Sequence, residues 1–148
     1  MDVFSKSYLE EVVENQGKLF EYAQDHYPEM DIEDFIKSYM ESRTRALIDE
    51  GQAYLCTMDA ESLFHYFLLN DHYEIKRGAS NGGFAPNWIG QFYALFQWTY
   101  HLASKDVVEL IPVHFMFEGY SGLHDLDLQI AVYKVGEQCG LKEPKENR

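Results

Sequence analysis

Apolar side chains recur three and four positions apart along almost the whole chain, the spacing that lines one face of an α-helix. The first stripe holds Tyr8, Leu9, Val12, Val13, Leu19, Phe20 and Ala23, behind a Ser7–Glu10 capping box and ahead of Pro28. Asp31 is placed to cap a second helix that carries Ile32, Phe35, Ile36, Tyr39, Met40, Ala46 and Leu47 and stops at Gly51. Arg43 falls on that stripe, which predicts an ion-paired arginine at the edge of the core. A third helix starts near Thr57 or Asp59 and runs through Leu63, Phe64, Phe67 and Leu68 to about Asn70.

The stretch from Lys76 to Gly83 is the clearest loop, and Pro86 suits the first turn of the helix that follows. From Trp88 to Leu102 that helix is apolar nearly all round, the pattern of a central buried helix. A helix from Pro86 to Ala103 would reach roughly 27 Å at about 1.5 Å per residue, across a whole domain. Ser104 and Asp106 open a short helix that Pro112 interrupts, and Val113 to Tyr120 continues to Ser121-Gly122. The last helix spans about His124 to Cys139 and ends at Gly140. No period-two alternation of useful length occurs. The expected fold is therefore all-α: one compact bundle of five to seven helices over residues 1–141, around a central aromatic helix, with a frayed tail at 142–148.

Charge changes the picture, because it is distributed unevenly. The 148 residues carry a formal net charge of -13. Residues 1–61 hold fifteen acids against five bases, whereas Gly78 to Ser104 has no Asp, Glu, Lys or Arg and holds both tryptophans. The uncharged run is too polar to span a bilayer, since it includes Asn87, Gln91, Gln97, Thr99 and His101. An acidic surface repels phosphate backbones and attracts basic partners, which argues against direct nucleic-acid binding. Cys56 and Cys139 are isolated, no secretory leader pattern is visible, and a reduced cytoplasmic setting is expected.

Motifs for chemistry are sparse. His124-Asp125, with Asp127, resembles the central pair of HD-type metal-dependent phosphohydrolases, and His65 and His101 are upstream ligand candidates. No aspartate follows Asp127, however, and acids in a first helical turn also suit the helix dipole. Glu61, His65 and His72 fall on one helix face without an HExxH or a second Glu-x-x-His. Lys76, Arg77, Gly78, Gly82 and Gly83 precede a helix N-terminus and form a candidate anion-binding loop, although the GKS/T ending of a nucleotide loop is missing. No motif implies a cofactor or a resident metal.

The segment GGFAPNWIGQFYALFQWTY, followed by IPVHFMFEGYSGLHDLDLQIAVYKVG, resembles short bacterial proteins carried near ADP-ribosyltransferase-like toxin genes. The likeness covers about residues 31–136 and leaves the first helix unmatched. It implies an antitoxin, immunity or accessory role and transfers no active-site residue. The favoured expectation is a non-catalytic module that binds a basic macromolecular partner. The contact residues expected on this reading are Glu14, Glu21, Glu33, Asp34 and Glu41, with Tyr93, Gln97 and Tyr100 from the aromatic helix. Two alternatives stand beside it: a small hydrolase using His65, His124, Asp125 and Asp127, and a homodimer joined through exposed parts of the aromatic helix.

Overall fold

A computed structural model describes residues 3–79 and 83–142. The fold is all-α: about 71% of the described residues are helical, and none of them forms a strand. After a single 3-10 turn at Lys6–Tyr8, the helices are α1 (Leu9–His26), α2 (Ile32–Met40), α3 (Arg43–Asp49), α4 (Ala53–Cys56), α5 (Ala60–Asn70), α6 (Ala85–Tyr100), α7 (Ser104–Leu110), α8 (Val113–Leu123) and α9 (Leu128–Gln138). That is nine among the described residues, more than the five to seven expected. The predicted helix from 31 to 51 breaks at Glu41-Ser42, and the short α4 adds one more. Residues 143–148 of the expected tail, and Gly82, lie outside the described residues.

Side-chain caps open four of the nine described α-helices, α2, α3, α5 and α9. Asp31 accepts from the Asp34 N–H to open α2, Ser42 accepts from Arg45 N–H to open α3, and Asp59 accepts from Ser62 N–H to open α5. Asp71 caps α3 a second time from a distance, taking the Arg43 and Thr44 N–H groups at 2.8 and 3.2 Å. The Ser7–Glu10 capping box does not form. Ser5 caps the 3-10 turn instead, and α1 starts without a side-chain cap.

The centre of the bundle is the pair α1 and α6. Gln16 meets Gly90 while Glu21, further along α1, meets Asn87, so the two helices run antiparallel. They approach through facing glycines: a Cβ built on Gly90 would lie 2.6 Å from the Gln16 carbonyl oxygen and 2.8 Å from Gly17 Cα. A Cβ on Gly17 would in turn meet the Asn87 carbonyl at 2.8 Å. Around this contact the rings pack edge-to-face and stacked, as Phe20 on Phe35 and Tyr39, and Phe92 on Phe96 and Trp88. Phe92 and Phe96 are wholly buried, and truncating either to Ala would cost about 3–5 kcal/mol.

A polar knot lies inside this apolar interior. The arginine that is buried is Arg45, at 0% exposure, while Arg43 is exposed. Arg45 Nη1 donates to Asp49 Oδ1 at 2.6 Å, Nη2 to Gln97 Oε1 at 2.7 Å, and Nε to Gln16 Oε1 at 2.8 Å. Gln97 also donates to Asp49, the Ser104 N–H completes the carboxylate at 3.0 Å, and the Phe4 ring stands 5.6 Å from the guanidinium. The knot thus ties α1, α3, α6 and α7 at one point. Each group in it has a partner, the condition under which a buried charge is tolerated.

Candidate functional site: an acidic groove

The α2 sequence puts Glu33, Lys37 and Glu41 at i, i+4 and i+8, hence on one face of that segment. Its opposite stripe, Ile32, Phe35, Ile36, Tyr39 and Met40, is buried. Across from the polar face the chain turns sharply between α7 and α8, where Pro112 ends one helix and caps the next. Between them lies a groove of about 690 Å3, walled by Asp31, Glu33, Asp34, Lys37 and Glu41 on one side and Val108, Glu109, Pro112, Val113 and His114 on the other. Five carboxylates face one lysine and one imidazole.

The walls are held by specific contacts. His114 spans the groove: Nδ1 stands 3.4 Å from Glu33 Oε2 and Nε2 stands 3.3 Å from Glu118 Oε1. The Tyr73 hydroxyl donates to Asp34 Oδ2 at 2.8 Å, and Lys76 Nζ lies 3.4 Å from Asp34 Oδ1. Burial, then the bond to Asp34, pushes the Tyr73 phenol well above its ordinary range, so it remains a donor that fixes the carboxylate. Glu41 and Glu109 are exposed and open to solvent.

Three expected contact residues, Glu33, Asp34 and Glu41, thus converge on one groove. The other expected contacts lie elsewhere. Glu14 pairs with Lys18 at 2.7 Å on its own helix, and Glu21 accepts from Asn87 Nδ2 at 3.0 Å, joining α1 to α6. Neither lines the groove. Tyr93 and Gln97 are corrected outright: both are 0% exposed. The Tyr93 hydroxyl donates to the Ile111 carbonyl at 2.6 Å, and Gln97 belongs to the Arg45 knot. Tyr100 is half-buried, with its ring 4.8 Å from Phe96 and pressed where a Gly136 Cβ would sit. These three side chains hold helices together and do not present a contact face.

Of the candidate anion loop, Lys76, Arg77, Gly78 and Gly83 are described. Arg77 Nη2 binds Glu29 Oε1 at 2.6 Å and Lys76 pairs with Asp34, so both charges are turned toward carboxylates of the same chain. Residues 76–78 run beside 29–31: the Asp31 N–H donates to the Lys76 carbonyl and the Gly78 N–H to the Glu29 carbonyl. A Cβ on Gly78 would stand 2.7 Å from Asp31 Cβ, so the glycine serves this close passage. Gly83 adopts φ 84°, as a turn into α6 requires.

The imidazole and carboxylate set of the hydrolase alternative is not assembled. His65 packs against Phe64 and Tyr22, whereas His124 stacks on Tyr120 and lies 3.3 Å from Asp125. Asp127 caps α9 through the Gln129 N–H. Among the described residues no group of three or more His, Cys, Asp or Glu is placed to hold a metal ion. No described helix is long and apolar enough to cross a membrane.

Sequence reasoning missed Glu109 and His114, which face α2 only because the chain reverses at Pro112. No local spacing links Glu33 to His114, 81 residues further along the chain. No family model, curated protein or solved structure matches the chain.

Proposed function

We propose that the protein is a non-catalytic binding module whose α2 groove engages a basic segment of a macromolecular partner. The observation that carries this reading is the convergence of Asp31, Glu33, Asp34, Glu41 and Glu109 on a single concave surface. Carboxylates scattered over a sphere only keep a protein soluble, whereas a concave set focuses the field along one approach. The rest of the -13 charge adds long-range attraction, which raises association rates about 10–10³-fold at low salt and fades beyond about 8 Å at physiological salt. A basic toxin held in check by this chain is one partner of that class and fits the antitoxin or immunity role expected above.

Fixed carboxylate geometry supports recognition over bond-making. Asp34 is held by Tyr73 and Lys76, and Glu33 by His114, so the acids form a pre-set surface. Capture from the native cell with the unaltered chain and with Glu33→Lys, Glu41→Lys, Glu109→Lys combined tests the reading. The expected result is a basic partner, identified by mass spectrometry, whose purified form loses at least about tenfold in affinity for the triple variant. Equal affinity for both forms, or a partner without a basic segment, overturns the proposal.

A further inference from the structure

We infer that residues 3–8 form a latch over the Arg45–Asp49 knot, one that opens as a unit while the helices behind it stay folded. Val3 and Phe4 lie outside any helix yet are buried, at 2% and 1% exposure. The Phe4 ring stands 5.6 Å from the Arg45 guanidinium carbon. Beside it is a cavity of about 530 Å3, lined by Val3, Phe4 and Ser5 on the latch and by Asp49, Glu50 and Gly51 at the end of α3. The hydrogen bonds of the segment are local: Tyr8 N–H donates to the Ser5 carbonyl at 2.9 Å, and Ser7 N–H to the Ser5 hydroxyl at 3.2 Å. Among the described residues no backbone hydrogen bond outside the helices reaches Val3 or Phe4. Packing closes the latch.

Two opposed magnitudes make that closure shallow. Burying Val3 and Phe4 favours the closed form about ten- to a hundredfold each. Ordering the backbone of residues 3–5 disfavours it about five- to thirtyfold each. Both products come to about 10²–10⁴, so neither dominates. What lies under the latch lowers the barrier to opening further. A strap over apolar surface is held down by the cost of wetting that surface. This one covers a guanidinium and a carboxylate, which regain hydration when it lifts. Helix α6, by contrast, is buried along most of its length and is exposed only when the bundle unfolds. Segments with few outside hydrogen bonds and few apolar contacts are the ones that open at low free energy.

Native-state hydrogen exchange, followed by NMR on the full isotope-labelled chain, tests the latch. Two reporters sit in the knot: the Arg45 Nε–H, which donates to Gln16, and the Ser104 N–H, which donates to Asp49. Both should be protected at least about tenfold less than the Ala94 and Phe96 amides of α6. Their exchange should be flat in dilute urea, whereas that of α6 climbs with urea. Phe4→Ala should speed both reporters about ten- to a hundredfold. Val132→Ala alters a buried side chain of α9, a helix that supplies no group to the knot. It should speed exchange in α6 and leave the reporters unchanged. Reporters that share the protection and urea slope of α6, or that accelerate with Val132→Ala, overturn the latch. So do reporters indifferent to Phe4→Ala, because opening then proceeds without Phe4. The urea comparison uses the unaltered protein and decides the matter even where Phe4→Ala does not fold.

Discussion

Replacing Gly90 by Ala probes the close backbone approach of α1 and α6. The added methyl would stand 2.6 Å from the Gln16 carbonyl oxygen and 2.8 Å from its carbon, while ordinary contact begins at 3.4 Å. The obstacle is backbone, not a flexible side chain, so α1 and α6 must separate locally by about 0.8 Å, the difference between the two oxygen distances. Three effects compete. Alanine gains about 0.5–1 kcal/mol over glycine in a helix. Overpacking a tight contact costs about 1–3 kcal/mol. The shift also strains the 2.8 Å bond from Gln16 Nε2 to the Gly90 carbonyl, and that same glutamine accepts from Arg45; a buried group left unpaired costs about 1–3 kcal/mol. The net expectation is a destabilisation of about 2–4 kcal/mol, seen in urea melts as a midpoint lower by about 1–2 M at unchanged slope. Gly122→Ala is the matched control. It lies in α8 with nothing within 4 Å of the new methyl, and should stabilise by about 0.5–1 kcal/mol. If Gly90→Ala melted with or above the unaltered protein, the facing-glycine contact and the knot built on it would be wrong.

Arg45→Met removes the guanidinium from a fully enclosed site and leaves Asp49 as an uncompensated buried charge. It should cost about 3–5 kcal/mol in thermal or urea melts, and Arg45→Met with Asp49→Leu should recover much of the loss. Arg43→Met, at an exposed site, should change stability by less than about 0.5 kcal/mol. Tyr39, Tyr73 and Tyr93 have phenols pushed upward by burial from the ordinary value of 10.0. A raised folded-state value means the stabilisation is complete below the unfolded value and is lost as pH rises above it. Phenolate absorbance near 295 nm should therefore show these three ionising together with loss of helical circular dichroism; their ionisation in a folded chain would refute the burial. Burial raises the Cys56 thiol to about 11 and also raises that of Cys139, but Cys56 is buried whereas Cys139 is partly exposed to reagent. Iodoacetamide on the native protein should alkylate Cys139 first, and Cys56 only on unfolding.

The central helix was legible because one long uncharged run has no other soluble use than burial, and α6 occupies Ala85–Tyr100. Asp31, Asp59 and Pro112 likewise declared their boundaries through local chemistry. The buried arginine was misassigned because a single helical phase was carried from 31 to 51. Ser42 restarts the helix as a cap, and the new phase turns Arg45 inward and Arg43 outward. A serine three residues before Arg45 was the available signal. Gln97 and Tyr93 read as polar edges of the aromatic helix, yet their partners lie 52 and 18 residues away. Local spacing carries no information about such partners. The groove was half legible for the same reason: the acids of α2 share a helical face, but the wall opposite is brought there only by packing.

Isotope-labelled protein titrated with a short basic peptide gives the most direct test of the acidic groove, because amide shifts report where a ligand sits. Perturbations confined to residues 31–41 and 108–114, shrinking as salt rises, are expected. Perturbations centred on α1 or α9, or spread evenly over the acidic surface, would contradict the groove as the binding site.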